Sequence, residues 1–321
     1  MSFFMNAKEF FLHGLFSPHS GDRRTLQVQL NWTLRITVAL CFIGHGTWGL
    51  ITKEGWLPFF ASQGIEGELA WALQRFIGAF DIAMALLLLW RPNRAIILWM
   101  FLWALWTAIL RPLAGNLDKP VEVTEGQWVV EIRKEARPDK TQTWEFWERA
   151  GNWGPPFMLL VMGGAFAVRR KDLLSGYKEP EIKDSTIDTI FFLCKLCLAL
   201  LLIGHAGFGF VVQNELMPDA EGKQMLINHW KSIGVPADAT IISQIGYAEF
   251  ALGVLIFVAP IRPLIFLALG WKLFTEFLYV PADTVSGMGI VNIFEWIERW
   301  GDYGIPLAML YILSYRAKKG A

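Results

Sequence analysis

Apolar blocks close to the length of a bilayer crossing recur along the whole chain, and this constrains its fold more than any other feature. A spanning helix needs roughly 17–25 predominantly apolar residues, because lipid offers the backbone no hydrogen-bond partners. Eight blocks are read as spans: Leu34–Ile51, Trp71–Trp90, Ala95–Leu110, Asn152–Val168, Ile190–Val211, Ile242–Val258, Pro263–Val280 and Tyr303–Tyr315. The third and eighth are short, so tilt or neighbouring helices must compensate. Hydrophobic residues make up 54% of the 321 residues and charged residues only 18%. Soluble domains usually carry about 25% charged residues. The expected class is an all-α integral membrane protein with the lipid bilayer as its main partner. Trp32, Trp56, Trp71, Trp90 and Trp153 stand at block edges, where an amphipathic ring suits the headgroup layer.

The formal net charge is zero, which gives no signature of nucleic-acid binding. Cys41, Cys194 and Cys197 lie in or near apolar blocks and read as small apolar fillers. Thiolate chemistry in the Cys194/Cys197 pair would need a polar, accessible setting. Residues 1–30 hold Phe and Leu interrupted by Asn6, Lys8, Glu9 and His13. With no continuous apolar run, this segment is read as an interfacial helix rather than a secretory signal.

Basic residues set the expected orientation. Arg23, Arg24, Arg91, Arg94, Arg169, Arg170, Lys171, Arg262, Arg316, Lys318 and Lys319 fall on one side of the spans, and longer acid-rich loops fall on the other. Both termini are therefore expected in the cytoplasm, in a multi-pass protein of a bacterial inner membrane.

The chain also repeats itself. Ile43-Gly-His-Gly-Thr-Trp-Gly49 matches Ile203-Gly-His-Ala-Gly-Phe-Gly209, and the segment ending in Asp81 matches the one ending in Glu249. Trp103 matches Trp271. Glu145-Phe-Trp-Glu-Arg-Ala-Gly-Asn-Trp-Gly-Pro-Pro156 matches Glu295-Trp-Ile-Glu-Arg-Trp-Gly-Asp-Tyr-Gly-Ile-Pro306, the most specific of the matches. Four spans per copy give both copies one orientation. The expectation is two tandem four-helix transmembrane bundles related by a pseudo-twofold along the membrane normal. In this division residues 31–168 form the first unit, 169–188 a cytoplasmic linker and 189–321 the second unit. Alternating residues around a Gly predict an outer β-hairpin-like insertion over 120–140. The second unit instead carries an amphipathic loop helix around Lys223–Ser232.

Ionisable groups inside a bilayer cost a few kcal/mol on insertion scales and call for a reason. Counting 1.5 Å per residue places His45 and Asp81 at one depth, roughly 9 Å below the outer surface. His205 and Glu249 reproduce the pair. Lys272 and Glu276 lie near the same layer with the i,i+4 spacing of an ion pair, where the first half has Ala104 and Ala108. The second half is therefore the favoured active half, with His205, Glu249, Lys272 and Glu276 as candidate catalytic residues and His45 with Asp81 as their equivalents. Three readings stay open for these groups: a packing clamp across helices, a proton, quinone or solute site, and a metal or haem site. Haem would need His45 and His205 to face each other, and the chain lacks a CxxCH attachment motif. Glu148, Arg149, Glu298 and Arg299 are read as structural: acidic helix starts that favour the dipole, with salt bridges to Arg149 and Arg299. Cation binding by Glu145, Glu148, Glu295 and Glu298 is the alternative.

Arg35, Gly44-His45-Gly46, Gly78, Asp81, the run Leu86–Leu89 and Arg94 together resemble the DoxX-like family of four-helix membrane proteins. Gly204-His205, Gly246, Glu249, Gly253 and Arg262 repeat the resemblance. It covers about the first three spans of each half. The resemblance implies a role in a redox or quinone-linked membrane system, with other membrane or extracytoplasmic redox proteins as partners and a quinone as possible cofactor. A permease for a small solute and a non-catalytic assembly subunit are the rival expectations. No zinc spacing, nucleotide motif or nucleophile elbow assigns a reaction, so whether the chain is an enzyme is left open.

Overall fold

The computed structural model describes residues 22–115, 121–122, 135–136, 142–164, 181–213, 221–283 and 289–319. Among these, thirteen α-helices account for nearly all regular structure. They are α1 (Arg23–Ile51), α2 (Leu57–Ala61), α3 (Gly67–Trp90), α4 (Arg94–Gly115), α5 (Gln142–Glu148), α6 (Ala150–Met162), α7 (Asp184–Gln213), α8 (Glu221–Ser232), α9 (Ala239–Val258), α10 (Arg262–Phe277), α11 (Tyr279–Ala282), α12 (Ile293–Glu298) and α13 (Gly301–Lys319). A two-residue antiparallel ladder pairs β1 (Val121–Glu122) with β2 (Glu135–Ala136). It stands within the expected insertion, whose residues 123–134 lie outside the described ones.

Among the described residues, six helices are long and apolar enough to cross a membrane: α1, α3, α4, α7, α9 and α10, the last with α11. The chain is thus a multi-pass membrane protein by length and composition. The other two expected spans fall short. α6 has 13 residues, and α13 carries Asp302, Arg316, Lys318 and Lys319. Both are packed among other helices: α6 touches α1, α4, α7 and α13, and α13 touches α1, α7 and α10.

Burial separates a centre from a rim. The spanning windows of α1 and α7 are 61% and 56% buried, whereas those of the other four are 28–39% buried. α1 pairs with α3, α7 with α9, and α1 and α7 both meet α6 and α13. Leu34, Val38, Met158, Leu198, Leu201, Ile305 and Ile312 belong to one continuous apolar core across this centre. The rim helices turn Phe76, Leu86, Trp90, Leu102, Val258 and Phe266 outward. So much exposed apolar surface suits acyl chains and not water.

Several expectations change. Trp32, Trp56 and Trp71 are buried in protein, while Trp90 is 71% exposed. Block edges here meet other helices, so an edge Trp is as often a packing residue as an interfacial anchor. Residues 1–21 of the expected interfacial segment lie outside the described residues. From Arg23 on, that segment is already α1, which Asp22 caps by accepting from the Thr25 amide at 3.2 Å; such a bond satisfies one of the free amides at a helix start. The linker expected over 169–188 ends early for the same kind of reason, since α7 starts at Asp184 and is tied to α1 by Arg23–Asp184 at 2.8 Å. Residues 169–180 of it, like the last four of the expected span Asn152–Val168, lie outside the described ones. All three cysteines are buried and free.

Candidate functional site

Glycines bring the site's helices together. A Cβ on Gly44 of α1 would collide with the backbone of Glu298, and one on Gly204 of α7 would collide with the backbone of Glu148. The short helix α12 therefore lies on α1, and α5 lies on α7, each crossing to the other half of the chain. Both short helices end in the same turn. The Asn152 amide donates to the Arg149 carbonyl and the Asp302 amide to the Arg299 carbonyl, each at 2.9 Å. α6 and α13 then start beside one another, with Gly301 against Gly151 too close for any side chain.

This crossing changes the expected salt bridges. Arg149 pairs with Glu298 of the other half. Arg299 reaches Glu148 of the other half at 3.7 Å, as well as Glu295 on its own helix at 2.5 Å. A pairing of Arg149 with Glu148 does not form, because neighbours in sequence point to different sides of a helix. Lys53, just beyond α1, adds a third cross-half bridge to Glu295. Burial alone would push the Glu298 carboxyl up, but Arg149 beside it overrides that and holds it well below the usual carboxylate range.

The remaining candidate residues meet in pairs. His45 Nδ1 lies 2.7 Å from Asp81 Oδ2. His205 Nδ1 lies 2.8 and 2.7 Å from the two oxygens of Glu249. Trp271 Nε1 also donates to Glu249, at 2.6 Å. Lys272 pairs with Glu276 one turn on and with Asp302 at 3.1 Å. His205 Nε2 is 3.8 Å from Glu276 Oε1, whose other oxygen meets Arg299 Nε at 2.7 Å. The imidazole of the second half is thus the edge of a buried ionic chain: His205, Glu276, Arg299, Glu295, Lys53. Lys272 and Glu276 are 0% and 1% exposed in their side chains, so removing either would strand a charge in a medium that cannot hydrate it.

Each imidazole also borders a recess. The first, about 430 Å³ counting the space at its open mouth, is lined by His45, Trp56, Phe59, Trp103 and Arg111. The second, about 410 Å³ on the same count, is lined by His205, Glu249, His229, Trp230 and Tyr279.

Several members of the site have no mark in the sequence that singles them out as site residues. Asp302 and Trp271 stand in matched positions between the halves, where they read as repeat markers only. Lys53 carries no signal, since its partner lies 242 residues away. His229 on α8 is buried and sits edge-on against Tyr279, ring centroids 4.4 Å apart. Burial pushes its pKa down to about 4, so it is neutral at pH 7. No cluster of three or more His, Cys, Asp or Glu able to hold a metal occurs among the described residues. No family model matches the chain, and no curated protein or solved structure matches it either.

Proposed function

We propose that this chain is a DoxX-like membrane protein of two parallel four-helix units, related by a pseudo-twofold along the membrane normal, and that it serves as a subunit of a redox or quinone-linked system in a bacterial inner membrane. In this reading α6 and α13 complete the units as short inner spans, and both termini face the cytoplasm. His205 and Glu249 exchange protons with the reacting molecule, and Lys272 with Glu276 balances the charge that this creates. The redox partners lie in the membrane or outside the cytoplasm.

One observation carries the proposal. His205 borders a recess with Nδ1 held by Glu249 and Nε2 turned toward Glu276. Imidazole is the side chain whose charge changes near neutral pH, and intramembrane His–carboxylate chains are the usual material of proton relays. A packing clamp would need neither the recess nor the second carboxylate.

The test is organic extraction and quinone analysis of protein purified in native lipid discs, together with quinone reduction in native membranes. The expected result is bound quinone in the wild type. His205→Ala, with the fold retained, is expected to slow the proton-dependent step by about a hundredfold, as loss of a general acid–base does. A quinone-free protein with membrane activity indifferent to His205→Ala contradicts the proposal.

A further inference from the structure

The first-half recess has a different chemistry from the second, and the proton exchange proposed for His205 makes no use of it. Its walls are flat. The His45 ring stacks on Trp56, centroids 4.5 Å apart and planes inclined by 25°. The Arg111 guanidinium lies 4.3 Å over the Phe59 ring. Trp103 and Leu110 close the apolar lining.

Two buried donors there lack a hydrogen-bond partner among the described residues, Arg111 Nε and Trp103 Nε1. Arg111 is 8% exposed, and its Nη1 pairs with Glu145 at 2.9 Å. Its Nε is buried without a hydrogen-bond partner among the described residues, a costly condition for a charged group. On His45, Asp81 takes Nδ1, which leaves Nε2 as the ring atom for a ligand. The Arg111 cation already faces the Glu145 carboxylate. An anionic ligand would add an uncompensated charge in a poorly hydrated place. A plain hydrocarbon would fill the walls and offer the Arg111 guanidinium that lines them no acceptor. The second recess lacks this demand: there His205 Nε2 is turned to Glu276, and the Tyr279 hydroxyl accepts from Arg299 at 2.9 Å.

We infer that the first-half recess is a binding site for a neutral, flat aromatic compound carrying a carbonyl oxygen, which accepts from Arg111 while its ring lies among Trp56, Phe59 and Trp103. The site stands whether or not the second-half dyad exchanges protons.

Three probes of one ring system separate the alternatives: acetylnaphthalene has the carbonyl, naphthalene lacks it, and naphthoate is anionic. Each is titrated against the full chain in lipid discs and followed by quenching of tryptophan emission. Acetylnaphthalene is expected to saturate a single site about tenfold more tightly than naphthalene, with naphthoate no tighter than naphthalene. Arg111→Lys keeps a cation beside Glu145 but moves the donor, and is expected to remove that tenfold advantage while leaving naphthalene unchanged. Ile77→Trp fills the recess without touching a charge and is expected to abolish saturable binding of both. If Arg111→Lys does not fold, Ile77→Trp alone decides whether the recess is the site. Equal, non-saturating response to all three probes, indifference to Ile77→Trp, or tightest binding of naphthoate overturns the inference.

Discussion

The two histidines of this chain sit in matching Gly-His segments, yet their surroundings differ. His45 has one carboxylate partner and an aromatic slot. His205 has Glu249 at Nδ1, Glu276 beyond Nε2, and then Lys272, Arg299 and Asp302. Where the second half holds Lys272 and Glu276, the first holds Ala104 and Ala108, 5% and 0% exposed. The buried charges of the second half form one connected set: Lys272 is held between Glu276 and Asp302, and Glu276 between Lys272 and Arg299.

The largest effect should come from breaking that set. Lys272→Leu strips Asp302 of its ion-pair partner and leaves Glu276 with Arg299 alone; it is expected to cost about 3–5 kcal/mol, read as loss of folded protein in detergent by size exclusion and thermal melting. Ala104→Leu at the matching first-half position changes volume without stranding a charge, so about 1–3 kcal/mol is expected. Equal losses would erase the distinction between the halves.

Next come the cross-half clamps. Arg149→Glu sets a second carboxylate against Glu298 and should match the loss at Lys272, while the double exchange Arg149→Glu with Glu298→Arg should recover at least half of it. A double mutant no better than the sum of the singles would mean that the two side chains do not meet.

A smaller effect is tied to pH. His229 is depressed to about 4 from 6.5. Between those values the unfolded chain binds the proton and the folded chain does not, so stability falls as pH drops through this window. The full swing is on the order of 3 kcal/mol. His229→Phe, which keeps an aromatic ring against Tyr279, should flatten the thermal midpoint between pH 7 and pH 4.5 relative to the wild type. An unchanged slope would place the proton uptake on another group. The smallest change expected is Trp271→Phe, which removes one donor from Glu249 and should cost about 1–2 kcal/mol, measured as a shift in the same thermal midpoint.

The vertical order of this protein is legible in its sequence, and its horizontal order is hidden. Block length and the 1.5 Å helical rise put His45 level with Asp81 and His205 level with Glu249, and helical spacing puts Glu276 on the face of Lys272. Those are distances along a helix, which sequence numbers measure directly. Which helix lies beside which is a lateral fact. Nothing in the numbering shows that α12 packs on α1, so Lys53–Glu295 and Arg149–Glu298 are out of its reach. The pattern Glu-x-x-Glu-Arg-x-Gly stands twice in the sequence, but local salt bridges are the natural reading of it. Trp56 misleads for a related reason: at a block edge, composition cannot distinguish a headgroup anchor from the wall of a recess.

The central claim is that the two halves complete each other, the short helix before each last helix being lodged against the first long helix of the opposite half. A zero-length carbodiimide tests it directly at Lys53 and Glu295, whose side chains form a cross-half ion pair with the lysine 29% exposed. A protease site inserted after Arg170 then cuts the chain between the halves. The account predicts that treated, cut protein still runs as one covalent species in denaturing detergent, and that Lys53→Gln separates it into two. Two fragments from the treated wild type, with Lys53 recovered unlinked, would contradict it.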